Sequence, residues 1–485
     1  MKRALILLAA GAALAGCTLE PAYVRPTPKI PGGWPTGPAY PPLSDQALPS
    51  LSYTDVFKDA HLQAVIAQAL ANNQDLEVAL ANVDIARAQY RVQRAALFPT
   101  VAANASAGVG QSRNVQTTTA GAITSQRTTT RDYSLNVGVA SWEIDLFGRI
   151  RSLTHAARQR YLASEAGVRA ARLTLVGEVA DAYLTLAADR SLLAVSQQTE
   201  ASAGRTVELT RARLNGGVAP GTDLTQAETL LDQAKSDRAA RTTQVAQDLN
   251  ALQLLVGAVV ADADLPASIE AVDGLIAEAP AGLDSRILLR RPDVAQAEYG
   301  LRAANAQIGA ARAAFFPTIS LTTLAGFASP ALSSLFSGGS FTWEAQGAGS
   351  LPLFTGGANV GNLALARGEQ RLAAAQYQQA IQAAFRDVAD ALARRGTMED
   401  QLAAQNGLVT AANQSLTLST ARYREGIDPY LNTLDAQRTL YSARQTLAST
   451  RLTRAETLVA LYQSLGGDQL VDDMPAPATG PKPKA

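Results

Sequence analysis

The feature that most limits what this chain can fold into is a pair of very long helical stretches. Residues 150–214 contain no proline and few glycines, and Val168, Ala171, Leu175, Val179, Ala182 and Leu186 step by three and four, the seam of a coiled coil. Residues 358–425 repeat the pattern, with Ile381, Phe385, Val388 and Leu392 on one seam. At 1.5 Å of rise per residue, each helix is about 100 Å long. Such a helix needs partners along its length, because helices in water are held mainly by tertiary packing of an apolar face. Arg, Asp, Glu and Gln recur throughout both, so neither is a membrane span.

Each long helix is preceded by the same phrase. Leu97-Phe98-Pro99-Thr100 returns as Phe315-Phe316-Pro317-Thr318. Each copy ends a shorter helical stretch, residues 54–96 and 292–314, the first with a possible break at Asn72-Asn73. Proline removes a backbone donor and biases the preceding residue toward extended geometry, so helix stops here and strand begins. Val101, Ala103, Ala105, Ala107 and Val109 then alternate with small or polar residues, as do Tyr133, Leu135, Val137 and Val139, the period of a strand. The first repeat therefore spans 52–257, with strands at about 98–110 and 132–145, a polar loop from Gln111 to Arg131, the long helix at about 149–214 and a return helix at about 222–256. The second spans 285–467, with strands at about 316–327 and 341–353, the long helix at about 358–425 and a return helix at about 430–465. Gly216-Gly217-Val218-Ala219-Pro220 and Gly426-Ile427-Asp428-Pro429 turn the chain between long and return helices, since Gly takes a left-handed cap and Pro stops continuation.

The ends and the middle read differently. Residues 1–16 have a charged start and a short apolar run, the layout of a signal peptide. Leu14-Ala15-Gly16-Cys17 resembles a bacterial lipobox, which makes Cys17 the first residue of the mature chain, carrying an N-acyl and S-diacylglycerol lipid. Thr18 rather than Asp follows it, the pattern of outer-membrane sorting. Residues 17–51 are Pro-rich and non-helical: either an extended arm laid over the body or a disordered linker. Residues 258–284 read as a linker between the repeats, and 468–485 as a disordered tail.

Composition excludes several classes. Formal net charge is +0 and there is no basic tract, so nothing marks a nucleic-acid binder. One Cys and two His, His61 and His155, provide no metal-ligand spacing and no nucleophile–base pair, so no metal, no further cofactor and no enzyme activity are expected. Arg290-Arg291 beside Pro292 are expected to fix the linker through ion pairs.

Four strands of membrane-crossing length cannot close a barrel, and an open sheet edge in lipid leaves unpaired backbone groups at several kcal/mol each. More than one chain must share the barrel, and three would give an even number of strands, twelve. The long helices would then stand in water beneath it. The alternative is a lipid-anchored coiled-coil spacer that conducts nothing; matched strand pairs at equivalent places in two halves argue against it.

Three segments carry a family resemblance. Leu288-Leu289-Arg290-Arg291-Pro292-Asp293-Val294-Ala295-Gln296-Ala297-Glu298, running on to Phe316-Pro317, Gly426-Ile427-Asp428-Pro429-Tyr430 with its sequel to Arg438, and Leu461-Tyr462-Gln463-Ser464-Leu465-Gly466-Gly467 resemble TolC-family outer-membrane efflux lipoproteins of the OprM/NodT branch. The resemblance covers nearly all of the mature chain. It implies a mainly α fold with membrane β: a homotrimer with a twelve-stranded outer-membrane β-barrel continued by a twelve-helix α-barrel tunnel, the inter-repeat linker lying at its equator. It implies a passive conduit for small molecules, docked to a periplasmic adaptor protein and an inner-membrane pump of the RND or another energised type. An exit duct for type I protein secretion is the alternative within this family. The tips Gly216, Gly217, Val218, Ala219, Pro220, Gly426, Ile427, Asp428 and Pro429 would meet the adaptor. Leu416, Thr420 and Arg422 are candidates for the tunnel constriction, or ordinary interhelical positions.

On this reading Phe98-Pro99 and Phe316-Pro317 join water-standing helix to membrane strand. Replacing Pro99 and Pro317 together with Ala is expected to weaken trimer assembly. Gel mobility of the unheated trimer tests it, and a trimer of unaltered yield and heat resistance removes the joints from that role.

Overall fold

The computed structural model describes residues 18–41, 52–117, 123–276 and 285–467. Cys17, the segment before it and the tail 468–485 lie outside them. The main helices are α1 (Ala60–Asn72), α2 (Gln74–Ala95), α3 (Arg149–Asn215), α4 (Gly221–Val256), α5 (Pro292–Ala313), α6 (Ala358–Arg424) and α7 (Tyr430–Ser464). The strands are β1 (Val101–Thr117), β2 (Ile123–Ile144), β3 (Thr318–Ser329) and β4 (Phe341–Ser350), in one antiparallel sheet of order β1-β2-β3-β4. α3 and α6 each have 67 residues, about 100 Å of helix. No helix among the described residues is apolar enough to cross a membrane.

The structure differs from the sequence reading at four places. The expected loop Gln111–Arg131 is largely strand: β1 and β2 pair in unbroken register from Val101↔Val139 to Thr117↔Ile123. Thr and Gln on both faces, with Arg on one of them, hide the apolar–polar alternation on which a strand is recognised, while β-branched Thr still suits the pleat. The strands do not begin at the phenylalanines. Phe98 N–H donates to Ala95 O (2.9 Å) and Phe316 N–H to Ala313 O (3.0 Å), so each ring closes the last turn of a helix and strand starts beyond the proline. β4 ends at Ser350, short of Leu353, because Pro352 brings no donor to the ladder. Lastly, part of the expected linker is packed: Val260, Leu265, Ile269, Val272 and Ile276 are buried.

The chain forms two compact units. The first contains residues up to Pro26, Asp84–Ala163 and Glu298–Ala375, and so the sheet. Its register sorts the two faces. Val101, Ala103, Ala105 and Ala107 oppose Val139, Val137, Leu135 and Tyr133. Leu135 and Val137 in turn oppose Phe327 and Ala325, which oppose Phe341 and Trp343. The other face carries Asn104, Ser106, Asn136, Ser134, Thr342 and Glu344. One face is apolar and the other polar, the alternation of a membrane barrel wall. Rings mark both borders. Phe147 stacks on Phe316 at the helix end (4.8 Å), and Phe327 meets Phe336 (5.5 Å) and Phe341 (5.9 Å) at the hairpin end.

The arm is ordered against this unit. Arg312 donates to Leu19 O (3.1 Å), Asn305 to Pro21 O (2.8 Å), and His155 pairs with Glu20 (2.9 Å). Gly309 has no Cβ where the Glu20 backbone passes; one added there would lie 2.9 Å from it. Glu298 takes Arg25 and Arg302 at 2.6 Å each. Burial alone raises its carboxyl, but the two guanidinium groups outweigh burial and hold it below the usual range.

The second unit contains Thr27–Val83, Ser164–Ala297 and the chain from Gln376. Its core joins Leu62, Val65 and Ile66 of α1 to Val179, Tyr183 and Leu186 of α3, Leu252 of α4 and Leu458 and Tyr462 of α7. Each such fully buried aliphatic side chain contributes about 1.5–3 kcal/mol. Asn73 breaks α1 from α2. Its side-chain oxygen accepts from Leu76 N–H (2.8 Å) and its amide donates to Leu255 O (2.8 Å), a helix start and a tether from one residue. The later part of the arm is ordered here too, with Trp34 buried and stacked on Phe385 at 5.0 Å.

Candidate functional site

Two hairpins turn in the second unit, and both use one local device. Gly217 has φ 72° and Gly426 φ 74°, the left-handed conformation that glycine takes without a Cβ penalty. Val218 N–H donates to Arg213 O and Gly217 N–H to Leu214 O, each at 3.0 Å. Ile427 N–H donates to Arg422 O (2.9 Å) and Gly426 N–H to Tyr423 O (3.0 Å). Both are Schellman ends. Pro220 and Pro429 then cap the return helices in extended geometry. Val218 and Ile427 are left 65% and 60% exposed at the turns, an apolar side chain at the point of each hairpin.

Side chains join the two hairpins. Tyr423 and Tyr430 pack at 5.4 Å in a buried cluster with Val207, Leu230 and Leu434. The Arg213 guanidinium lies 4.8 Å over the Tyr423 ring and donates to Arg424 O (3.1 Å). Arg422 instead pairs with Asp428 in its own turn, at 2.6 and 3.0 Å, and that hydrogen bond lowers the Asp428 carboxyl. Burial, and then Tyr423, push the Tyr430 phenol up to about 12. Deeper in, Gln437 donates to Thr206 Oγ1 (3.0 Å) and Tyr441 to Asp237 (2.7 Å).

The expected constriction residues have different surroundings within the chain. Leu416 packs beside Ala412, Leu440 and Ala443 and borders a cavity of about 440 Å³ with Gln198, Arg205 and Arg444. Thr420 is half-buried, and Arg422 is engaged by Asp428. Sequence reasoning missed Arg213 and Tyr423. Their signal was a cation and a ring beside the two turns, but it had no meaning until the hairpins were paired.

A second cavity, about 1040 Å³, opens where α3, α5, α6 and α7 meet. Arg291 spans it, pairing with Asp293 (2.8 Å) and Asp387 (3.7 Å) and donating to Ser464 O (2.9 Å). Asp181 lines it with one carboxylate oxygen buried and unpartnered. Burial first, then the charges of Glu456 and Glu178, push this carboxyl up to about 7. His61 pairs with Asp264 (3.3 Å), and no group of three His, Cys, Asp or Glu among the described residues is arranged to hold a metal.

Comparison with known proteins places these features. Residues 65–258 and 283–467 match the family model described as Outer membrane efflux protein. The chain is 44% identical over 471 residues to the antibiotic efflux pump outer membrane protein ArpC of Pseudomonas putida, covering 96% of each. It is 44% identical over 471 residues to the toluene efflux pump outer membrane protein TtgC of the same species, again 96% of each. The open state of the Neisseria gonorrhoeae MtrE outer membrane channel superposes with a TM-score of 0.81 at 36% identity, over 93% of this chain and 98% of that one.

Two outcomes follow from the geometry. Arg213→Ala removes a cation–π contact of roughly 0.5–1 kcal/mol and a tie between hairpins, so hydrogen exchange in 424–428 is expected to quicken several-fold; unchanged exchange would show that Arg213 does not hold the tips together. At Asp181 the raised pKa means the folded state keeps a proton that the unfolded chain releases above 3.8. The resulting cost is absent below about pH 4, grows through pH 4–7 and is complete above that. Asp181→Asn is therefore expected to raise the thermal midpoint at pH 8 by about 3 °C and to gain less at pH 5. An equal shift at both pH values would contradict the assignment.

Proposed function

The chain belongs to the outer membrane efflux protein family, and from that premise we propose that it is the exit duct of a three-part efflux assembly. The duct is a homotrimer in the outer membrane that reaches into the periplasm and passes small molecules outward without consuming energy itself. The observation that carries this is the sheet. β1 and β4 are unpaired edges of four strands with one apolar face. Such edges are not left open in hydrocarbon, and three copies give a closed twelve-stranded wall.

The tips fit the docking role. Each hairpin ends in a rigid turn with an exposed apolar residue, Val218 or Ile427, and we assign them to a periplasmic adaptor that couples the duct to an inner-membrane pump. A lipid on Cys17 would support the same placement. Arg312 holds Leu19, two residues further on, near the end of α5, which is followed by the Phe316 joint to β3. The names of the toluene and antibiotic pump relatives support small apolar molecules as cargo, and this favours efflux over protein secretion.

Purified trimer in a planar bilayer is expected to conduct weakly, and Arg213→Ala more strongly, because the tips are then less tightly tied. Deleting the gene is expected to sensitise cells to toluene and antibiotics. Silence of both proteins in the bilayer, together with unchanged sensitivity, would leave the non-conducting spacer as the better account.

A further inference from the structure

The β1–β2 hairpin is longer than its neighbours. β2 loses β3 as a partner beyond Tyr133↔Ser329, yet β1 and β2 stay paired for ten more positions, from Gly108↔Asp132 to Thr117↔Ile123. At 3.4 Å per residue this two-stranded ribbon extends about 34 Å past the rest of the sheet. All four helix connections leave the sheet at its other end, so the ribbon lies on the side away from the periplasmic helices.

The register fixes what the ribbon presents to the lipid side. Strand residues two apart share a face. The membrane face of β2, running Val139, Val137, Leu135, Tyr133, continues into Arg131, Thr129 and Arg127. That of β1, ending at Val109, continues into Gln111 and Arg113. Arg113 and Arg127 are direct cross-strand partners. Like charges directly opposite destabilise a ribbon, so this pairing is a cost that needs a counter-charge. The protein does not supply one: Arg113 donates to Ser125 Oγ (3.2 Å), a neutral group. The ribbon's one acid, Asp132, has the opposite parity and opposes Gly108. All three arginines are exposed.

Their height is as specific as their face. Tyr133, Phe327 and Phe341 form the aromatic border at the hairpin end, where such rings sit at a membrane–water interface. Arg131 lies two residues beyond Tyr133, about 7 Å, and Arg127 six residues beyond, about 20 Å. At that distance the Arg131 guanidinium meets the headgroup layer, whereas Arg113 and Arg127 stand further out on the tilted ribbon and reach back toward it through their long side chains. The forked donors of all three match phosphate oxygens.

We propose that Arg113, Arg127 and Arg131 form a binding face for the phosphate groups of anionic glycolipid in the outer leaflet of the outer membrane. The proposal rests on the outer-membrane placement above. The lipid phosphates neutralise the opposed Arg113–Arg127 pair and fasten the ribbon against the leaflet.

The test uses full-length trimer in detergent, with diphosphoryl lipid A, phosphate-free lipid A of the same acylation, and inorganic phosphate as probes. Native mass spectrometry reads bound lipid, and heat resistance on gels confirms the trimer for each variant. The wild type is expected to hold diphosphoryl lipid A at least tenfold more tightly than the phosphate-free form. The triple variant R113Q/R127Q/R131Q is expected to lose that preference, and R113K/R127K/R131K to keep most of it. Equal binding of the two lipids by the wild type, or an undiminished preference in the Gln variant, overturns the proposal. Displacement by inorganic phosphate at concentrations similar to the lipid's overturns the lipid assignment in favour of a free-anion site. Bilayer conductance of the Gln variant is expected to match wild type. Conductance without lipid preference condemns only the binding face, whereas lipid preference without conductance condemns only the duct.

Discussion

A sheet edge cannot be left open in hydrocarbon, and much of this molecule follows from that constraint. β1 and β4 each have a row of backbone donors and acceptors without an intramolecular partner. In water these would be solvated; in lipid each costs several kcal/mol. Other copies of the chain are therefore part of the fold rather than an addition to it. The prolines at 99 and 317 serve the same constraint. Helix satisfies its own backbone and strand needs a neighbour, so the change from one to the other is set at fixed points, where Phe98 and Phe316 close the last helical turn.

The helices meet a different constraint. With 67 residues each, α3 and α6 cannot be held by any one small core. The second unit concentrates its large buried side chains where α1, α3, α4 and α7 meet the packed segment 260–276. Towards the turns, packing passes to smaller clusters around Tyr430 and around Leu440, with hydrogen bonds such as Gln437 to Thr206 between them. A region held by few apolar contacts and more polar ones opens at lower cost than a core. That gradient puts the lower cost of opening at the turns and the higher cost at the core.

The sequence revealed what depends on local pattern. The coiled-coil seam of Val168–Leu186, the two Phe-Pro joints and the glycine turns are all written in neighbouring residues. Two kinds of feature were not legible. The strand residues Gln111 to Thr117 read as loop in the sequence because alternation reports a strand only where its two faces differ, and past the membrane border both are polar. The segment 260–276 reads as linker in the sequence because its apolar residues fit neither period and are buried only through tertiary contacts. Arg213 belongs to the second kind. Nothing near it in sequence shows that its partner lies on the other hairpin.

The duplication explains why that partner is distant. Arg213 and Arg422 each stand four residues before the left-handed glycine, and the carbonyl of each accepts the same Schellman bond. The residue six places on is Ala219 in the first hairpin and Asp428 in the second. Arg422 therefore finds a carboxylate within its own turn and closes that turn on itself. Arg213 finds a methyl group and turns outward, to the Tyr423 ring and the Arg424 carbonyl. Leu214 stands in the first hairpin where Tyr423 stands in the second, so the reverse contact does not arise. Among the differences between the two turns, these two side chains thus yield one self-contained tip and one that ties the pair together. The two contacts differ in what they restrain: a tie between hairpins limits their separation, whereas an ion pair inside a single turn moves with that turn.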